Sequence, residues 1–483
     1  MAANNDLLDA VLEHPEDVEL CQVYADSLTE DLDQRGEFIA EQIRLGELSE
    51  FDDEYPALVA RTNRLQHKYV ETWLAEFLKP SRETERSYSR LNVNACRNAV
   101  FKNGFLHRIA VHVDEVDSLW PRLTATEPVR AAELLVDESI PDECRNLKPP
   151  ASWTELKVSP DQWFTSYSVA LVLAWGLSNI LELDLSGCDL SGDGVAMLTT
   201  QEPLSIDILD DTVVVPPLPR HQLTALRLKN TQLFDEGLQL LMQAEFPSLN
   251  ALDVSQCRLT DEASLQAIMK LESLTELDLS GNSFAIDSLS SWSGFKRLCR
   301  LSLPKETTAD SFEKLFATPS LQLSALNLTA AKDVLANSAI VGAAAERFAH
   351  LNLGTTRIGD AGLKTLLEFE SVNTVLELKL NGCSLSDKAI TSLVESGCNR
   401  LINLDLSSNK LTDKAMQHLA EWESLQHVTH FRIGNNRKLS ADGFAALADS
   451  QFFQPTQLDI GKTKDEAITS MLEERFGDAV VSS

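Results

Sequence analysis

No stretch of this sequence approaches the roughly 18 consecutive apolar residues of a membrane-spanning helix. The first twenty residues, MAANNDLLDAVLEHPEDVEL, have neither a basic region nor a long apolar run, so they do not read as a secretion signal. The eight cysteines are scattered and none forms a CxxC pair. In a chain this long, that predicts reduced thiols in a cytoplasmic setting rather than a disulfide framework. There is no P-loop, no HExxH and no GxSxG, and the nine histidines are dispersed. His427 and His430, with His418 a little earlier, come nearest to a cluster, but they span a loop and a strand rather than one helix face. No catalytic, cofactor or metal site is expected. Positive charge is also scarce: 42 Lys and Arg stand against 73 Asp and Glu, a formal net charge of -31. Such a surface repels phosphate backbones and anionic lipid, so nucleic acid and membrane are poor partners and a protein with a basic surface is a better one.

What the chain does have is length and apolar content. Its 483 residues exceed one ordinary core, and 43% of them are hydrophobic. Several domains or a repeat array must follow. The acidity is uneven: residues 1–55 carry 17 Asp and Glu against Arg35 and Arg44. The next fifty are richer in cations (Arg61, Arg64, Lys68, Arg82, Arg86, Arg90 and Arg97). Both stretches read as solvated helical faces.

A period dominates the rest. NILELDLSGCDL places Ile180, Leu183, Leu185 and Leu190 at the spacing that Leu223, Leu226, Leu228 and Leu233 repeat. Leu249, Leu252, Val254 and Leu259 repeat it again, as do Leu274, Leu277, Leu279 and Phe284. The central residue recurs at Leu226, Leu252, Leu277, Leu301, Leu326, Leu351, Leu378, Leu404, Phe431 and Leu458, in steps of 24 to 27. L-x-L alternates at period two and so reads as a short strand with its leucines on one face. DEGLQLLMQAE, DKAITSLVESG and DKAMQHLAEW have helical spacing and supply the crossover that parallel strands need. Asp235, Asp261, Asp360, Asp387, Asp413, Asp442 and Asp465 open these helices and are expected to cap them.

The pattern L-x-x-L-x-L-x-x-(N/C/T)-x-L resembles the leucine-rich-repeat family over residues 129–476. The resemblance implies an α/β solenoid, a horseshoe with parallel strands inside and helices outside. Cys188, Cys257, Cys383, Asn282, Asn409 and Asn436 share the polar position after the strand, where a small hydrogen-bonding side chain satisfies backbone groups. A row of metal-binding thiols is the alternative, but stacked repeats would hold them about a sheet spacing of ~4.8 Å or more apart. Some units depart from the template. Pro304 follows its strand directly, and LSALNLTAAKD lacks the polar turn residue. Residues 201–222 read as a shortened unit with Ile206 and Ile208 as strand residues, and the extra residue between Asn436 and Leu439 predicts a bulge. Leu134 with Val136, and Leu156 with Val158, read as weak first units.

The ends of a solenoid need caps. DEAITSMLEERFGDAVVSS reads as a last helix with a tail at 477–483, and resembles the closing helix of ribonuclease-inhibitor-like repeats. Residues 1–128 form a mainly helical N-terminal cap domain, with three amphipathic helices and a longer one presenting Leu58, Thr62, Leu65, Tyr69, Trp73 and Phe77 on one face. Pro15, Tyr24, Ala25, Asp26, Leu28, Arg35, Gly36, Glu37, Phe38 and Ile39 resemble the bacterial repeat-companion domain, with Ser27 where that family carries a large aromatic. Gly104 and Phe105 fit its strand-entering segment. Asp26, Arg35 and Glu37 read as ties between helices, or as an acidic-basic site.

What remains is a surface. The expected partner-binding residues on the concave face are Asp184, Arg227, Lys229, Asp253, Asp278, Asn327, Asn352, Lys379, Asp405, Arg432 and Asp459. The expected function is a non-catalytic scaffold that holds a protein partner there. An acidic inhibitor of a basic enzyme is the alternative. GTPase activation and ubiquitin ligation have no motif or additional domain to support them.

Overall fold

The computed structural model describes residues 2–78, 98–136, 147–160, 166–208, 211–316, 323–331, 341, 344–463 and 465–481. Arg82, Arg86, Arg90 and Arg97 lie outside them. The chain divides into two compact units, one of residues 1–48 and 65–273, the other of residues 49–64 and 274–483.

The first unit opens with helices α1 (Ala2–Glu13), α2 (Val18–Glu30) and α3 (Gln34–Glu47). Asp17 caps α2 by accepting from the Leu20 N–H, and Asp33 caps α3 by accepting from Arg35. Val11, Cys21, Ala25, Leu28, Ile39 and Ile43 bury against Phe105. The helices touch so closely that a Cβ on Gly36 would meet the Ala25 carbonyl oxygen at 2.5 Å, and one on Gly104 would meet the Ile39 Cα at 2.4 Å. Arg35 ties these elements together. Its guanidinium lies 4.7 Å from the Trp73 ring centroid and 5.0 Å from that of Phe101, and it donates to both Glu127 oxygens at 2.9 and 3.0 Å. Glu127 in turn accepts from the Leu106 N–H.

Strand β1 (Val100–Lys102) pairs antiparallel with β2 (Phe105–His112). From β2 the ladder is parallel: β3 (Ala131–Val136), β4 (Glu155–Pro160), β5 (Glu182–Asp184), β8 (Ala225–Arg227) and β9 (Ala251–Asp253) follow in order. The weak first units at Leu134 and Leu156 are real strands, and parallel pairing begins one strand earlier, in β2, where Arg108 pairs with Ala131. Residues 201–222 are not a shortened unit. β6 (Leu204–Ile208) and β7 (Asp211–Val215) form an antiparallel hairpin outside the ladder, while Leu183 pairs directly with Leu226. The alternation of Ile206 and Ile208 marked a strand correctly but could not tell which neighbour it would take.

The second unit stacks β10 (Glu276–Asp278), β11 (Arg300–Ser302), β12 (Ala325–Asn327), β13 (His350–Asn352), β14 (Glu377–Lys379), β15 (Asn403–Asp405), β16 (His430–Arg432) and β17 (Gln457–Asp459) in parallel. Leu277, Leu301, Leu326, Leu351, Leu378, Leu404, Phe431 and Leu458 face each other in one register and are all buried. β16 shows no bulge. Its extra residue is taken up beyond the strand, where Lys438 bridges to Thr412. Nor are residues 477–483 a plain tail: Val480–Val481 pair with β17 as a last parallel strand.

Two repeating devices hold one unit of the stack to the next. The polar residue after most of the strands turns inward. Asn409 donates to the Leu380 and Leu406 carbonyls and accepts from the Leu385 N–H, so it serves its own repeat and the preceding one. Asn436 accepts from the Asn409 and Leu411 amides. The thiols of Cys257 and Cys383 donate to Leu228 and Leu353 carbonyls at 2.9 and 3.0 Å, doing the same work. In the unit interrupted by Pro304, Thr307 donates to the Pro304 carbonyl instead.

The aspartates are the second device, and here the expectation of seven caps needs correction. Asp261 and Asp465 do cap their helices. Ser386, Thr412 and Ser440 take that position elsewhere, which leaves Asp387 and Asp413 inside the first turn, facing the next repeat. Asp360 accepts from Ser386, Asp387 from Thr412 and Asp413 from Ser440, each from both amide and hydroxyl. Asp235 does the same for Thr260.

Asn409→Ala should therefore lower unfolding stability by about 2–3 kcal/mol, because it strands the buried Leu385 N–H and the Leu380 carbonyl. The exposed neighbour Lys410→Ala should stay within about 0.5 kcal/mol. Chemical denaturation reads the difference as a shift in midpoint with an unchanged slope.

Candidate functional site

In both units the central residue of each strand points into the core, and the residues on either side of it point to an open face. The eleven candidate residues all sit in or beside these strands, but they are divided between the units. Asp184, Arg227, Lys229 and Asp253 belong to the first, and the other seven to the second.

Seven of the eleven share a local duty that the sequence did not reveal. Asp184, Asp253, Asp278, Asp405 and Asp459 each accept from the backbone N–H two residues on, at 2.8 to 2.9 Å. Asn327 and Asn352 do so at 3.0 Å. These Asx turns steer the chain out of the strand. Their clue was in the sequence: a Ser, Thr or Gly stands two places after each of them.

Much of the remaining charge is paired along the face. In the first unit Arg227 meets Glu182 at 3.0 Å, Lys157 meets Glu133 at 2.7 Å, and His107 meets Glu155 at 2.8 Å. Lys229 is exposed. In the second unit Arg300 lies 3.5 Å from Glu276, and Lys379 lies 2.6 Å from Glu377. His418 and His430 bond to different threonines, Thr391 and Thr429, and do not converge.

Within the second unit, residues 49–64 lie along the edge where the strands begin. Phe51, Tyr55 and Val59 pack on Ala349, Leu376 and Ile402, each of which immediately precedes a strand. Arg400 donates to the Glu50 and Asp52 carbonyls at 3.1 and 2.7 Å and meets the Asp53 carboxylate at 3.3 Å. Arg64 donates to the Gln426 and Gln454 carbonyls, and Asn63 to the Thr429 hydroxyl. This strap covers the first row of the face and leaves the rows beyond it open. There Glu377, Lys379, Asn403, Asp405, His430, Arg432 and Gln457 line a hollow of about 100 Å³. Lys379, Asp405 and Arg432 are in direct register on adjacent strands, so three of the candidates do come together. Asn403, Gln457 and the strap contacts were missed, because Arg64 and Gln454 are hundreds of residues apart and nothing local marks the pairing.

The strap carries one titrating joint. His350 Nδ1 lies 3.1 Å from Glu377 and Nε2 lies 3.7 Å from Glu50. Burial pulls the imidazole down, but hydrogen bonding to the two carboxylates wins and raises its pKa. Hydrogen bonding to His350 draws Glu377 down to about 2 and also lowers Glu50. Arg300, Lys379 and Tyr55 are the other titratable groups near the joint.

These features define a solenoid of leucine-rich repeats with an open strand face. Family models described as leucine-rich repeat match residues 176–198 and 398–420, and a second of the same description matches 273–298. Among solved structures, an internalin from Listeria monocytogenes is 18% identical, with 76% of this chain and 94% of that one covered at a TM-score of 0.33. An internalin C2 from the same organism is 21% identical, over 49% and 81% of the two chains, at 0.24. A complex of TLR13 with ssRNA13 is 16% identical, over 74% and 54%, at 0.37. No curated protein matches the chain. Among the described residues, no helix is long and apolar enough to cross a membrane.

The joint sets a pH window for the strap. The raised imidazole pKa contributes stability that is complete below the ordinary histidine value and is lost as pH rises through the raised one. The lowered carboxylates contribute stability that is complete above their ordinary range and is lost as pH falls through the lowered values. Protection of the amides of residues 55–62 from hydrogen exchange, relative to their intrinsic exchange rates, should be greatest between these limits and fall on either side. In His350→Gln the fall in protection toward high pH should disappear.

Proposed function

We propose that the protein is a non-catalytic scaffold that holds a protein partner on the open strand face of the second unit, at the hollow beside the strap. The observation that carries this reading is the hollow itself. It is a recess in a row of strands whose walls are polar, in register and pinned from behind. Glu377 is held by Lys379 and His350, and His430 by Thr429, which the strap residue Asn63 also contacts. Extended strand faces are how repeat proteins of this architecture bind, and a preorganised wall loses little freedom on binding. The six free cysteines among the described residues, five of them buried, suit a reducing compartment such as the cytoplasm.

An acidic inhibitor of a basic enzyme remains the second reading, supported by the net charge of -31. The pairing of charge along the strands favours the first, since it leaves a mixed surface rather than a uniformly negative one. The candidates of the first unit, Asp184, Arg227, Lys229 and Asp253, do not line this hollow.

Arg432→Glu and Lys379→Glu should each weaken capture of the native partner at least tenfold, whereas Lys388→Glu and Lys414→Glu, exposed on the helices, should change it less than twofold. Quantitative pull-down from the native extract, followed by calorimetry on the captured protein, reads both. Equal loss from strand and helix variants would remove the open face as the site.

A further inference from the structure

We infer that the hollow seats an arginine side chain of the protein partner on the Asp405 carboxylate. This rests on the binding reading above and adds the chemistry of the contact. Asp405 stands apart from the equivalent aspartates of the other strands. Asp184, Asp253, Asp278 and Asp459 are half-buried, whereas Asp405 is only 8% exposed. One of its oxygens accepts from the Ser407 amide and hydroxyl, at 2.9 and 2.6 Å. The other has no partner among the described residues, and no cation pairs with it.

The two cations in register with it do not fill that role. Lys379 is held by Glu377 at 2.6 Å, and Arg432 is exposed to solvent. Two residues earlier on the same strand, and so on the same face, Asn403 presents a second acceptor. Its Oδ1 is buried with no hydrogen-bond partner. Both residues line the hollow. Two acceptors along one strand, one of them charged, match the planar fork of a guanidinium, which offers donors in more than one direction. An ammonium is a compact point charge and would serve one acceptor at a time.

The test follows backbone amide signals of the full chain during titration with acetyl-arginine amide, a capped probe that presents the side chain as a protein would. Saturable shifts centred on Asn403 and Ser407 are expected. Acetyl-citrulline amide, the neutral isostere, should cause none, and acetyl-lysine amide should bind at least fivefold more weakly. Asp405→Asn keeps an acceptor for the Ser407 turn, so it should abolish the shifts while leaving the melting temperature unchanged. Shifts scattered over the acidic surface, shifts that persist in Asp405→Asn, or a requirement for free L-arginine with uncapped termini would each overturn the assignment. If Arg432→Glu weakens partner capture while Asp405→Asn does not, the binding face stands and the arginine seat falls. If neither does, the binding face falls with it.

Discussion

A short parallel strand cannot satisfy its own backbone at the point where the chain leaves the sheet, and the rest of this structure depends on how that problem is solved. The turn buries amides and carbonyls that have no partner within the repeat. Asn409 and Asn436 reach into the repeat before them to close these bonds, and Cys257 and Cys383 do so with a thiol. The aspartates of the crossover helices add a second bond in the opposite sense, accepting from the hydroxyl and amide that open the next helix. Each repeat is therefore completed by its neighbours on both sides, and the leucine row between them supplies the apolar burial.

That arrangement decides what the open face can be. Its backbone is used in the ladder and its central side chains are buried, so only the flanking residues of each strand are available for recognition. Most of them are already engaged with one another, in Asx turns and in ion pairs that cross from strand to strand. Exposed pairs of this kind stabilise little, but they fix side-chain direction and balance charge. At the hollow this internal satisfaction is incomplete, since Asn403 Oδ1 has no hydrogen-bond partner there.

The repeat was legible because its signals are local. Leucine spacing, the period-two strand and the polar turn residue each lie within a dozen residues, and the register of Leu277 through Leu458 followed from them. The aspartates show the limit: their position was right, but whether Asp387 caps its own helix or serves the next depends on Ser386 already holding the cap. Ile206 and Ile208 show it again, since alternation announces a strand without naming the strand it joins. The strap was beyond reach. The sequence pattern pointed to the face of Leu58, Thr62 and Leu65 and did not mark Phe51, Tyr55 and Val59, while the row these cover, Ala349, Leu376 and Ile402, looks like unremarkable filler between leucines. Of the eleven candidate residues, the sequence placed all beside the strands, yet it could not distinguish the half-buried Asp459 from the buried Asp405.

The central claim is that neighbouring repeats complete each other, and a double-mutant cycle across one junction tests it most directly. Asp387→Ala, Thr412→Val and the pair together should show a coupling of about 1 kcal/mol or more in unfolding free energy, because the Thr412 hydroxyl donates to the Asp387 carboxylate across the repeats. Additive losses, with coupling near zero, would mean that the repeats stack without joining and would contradict the account.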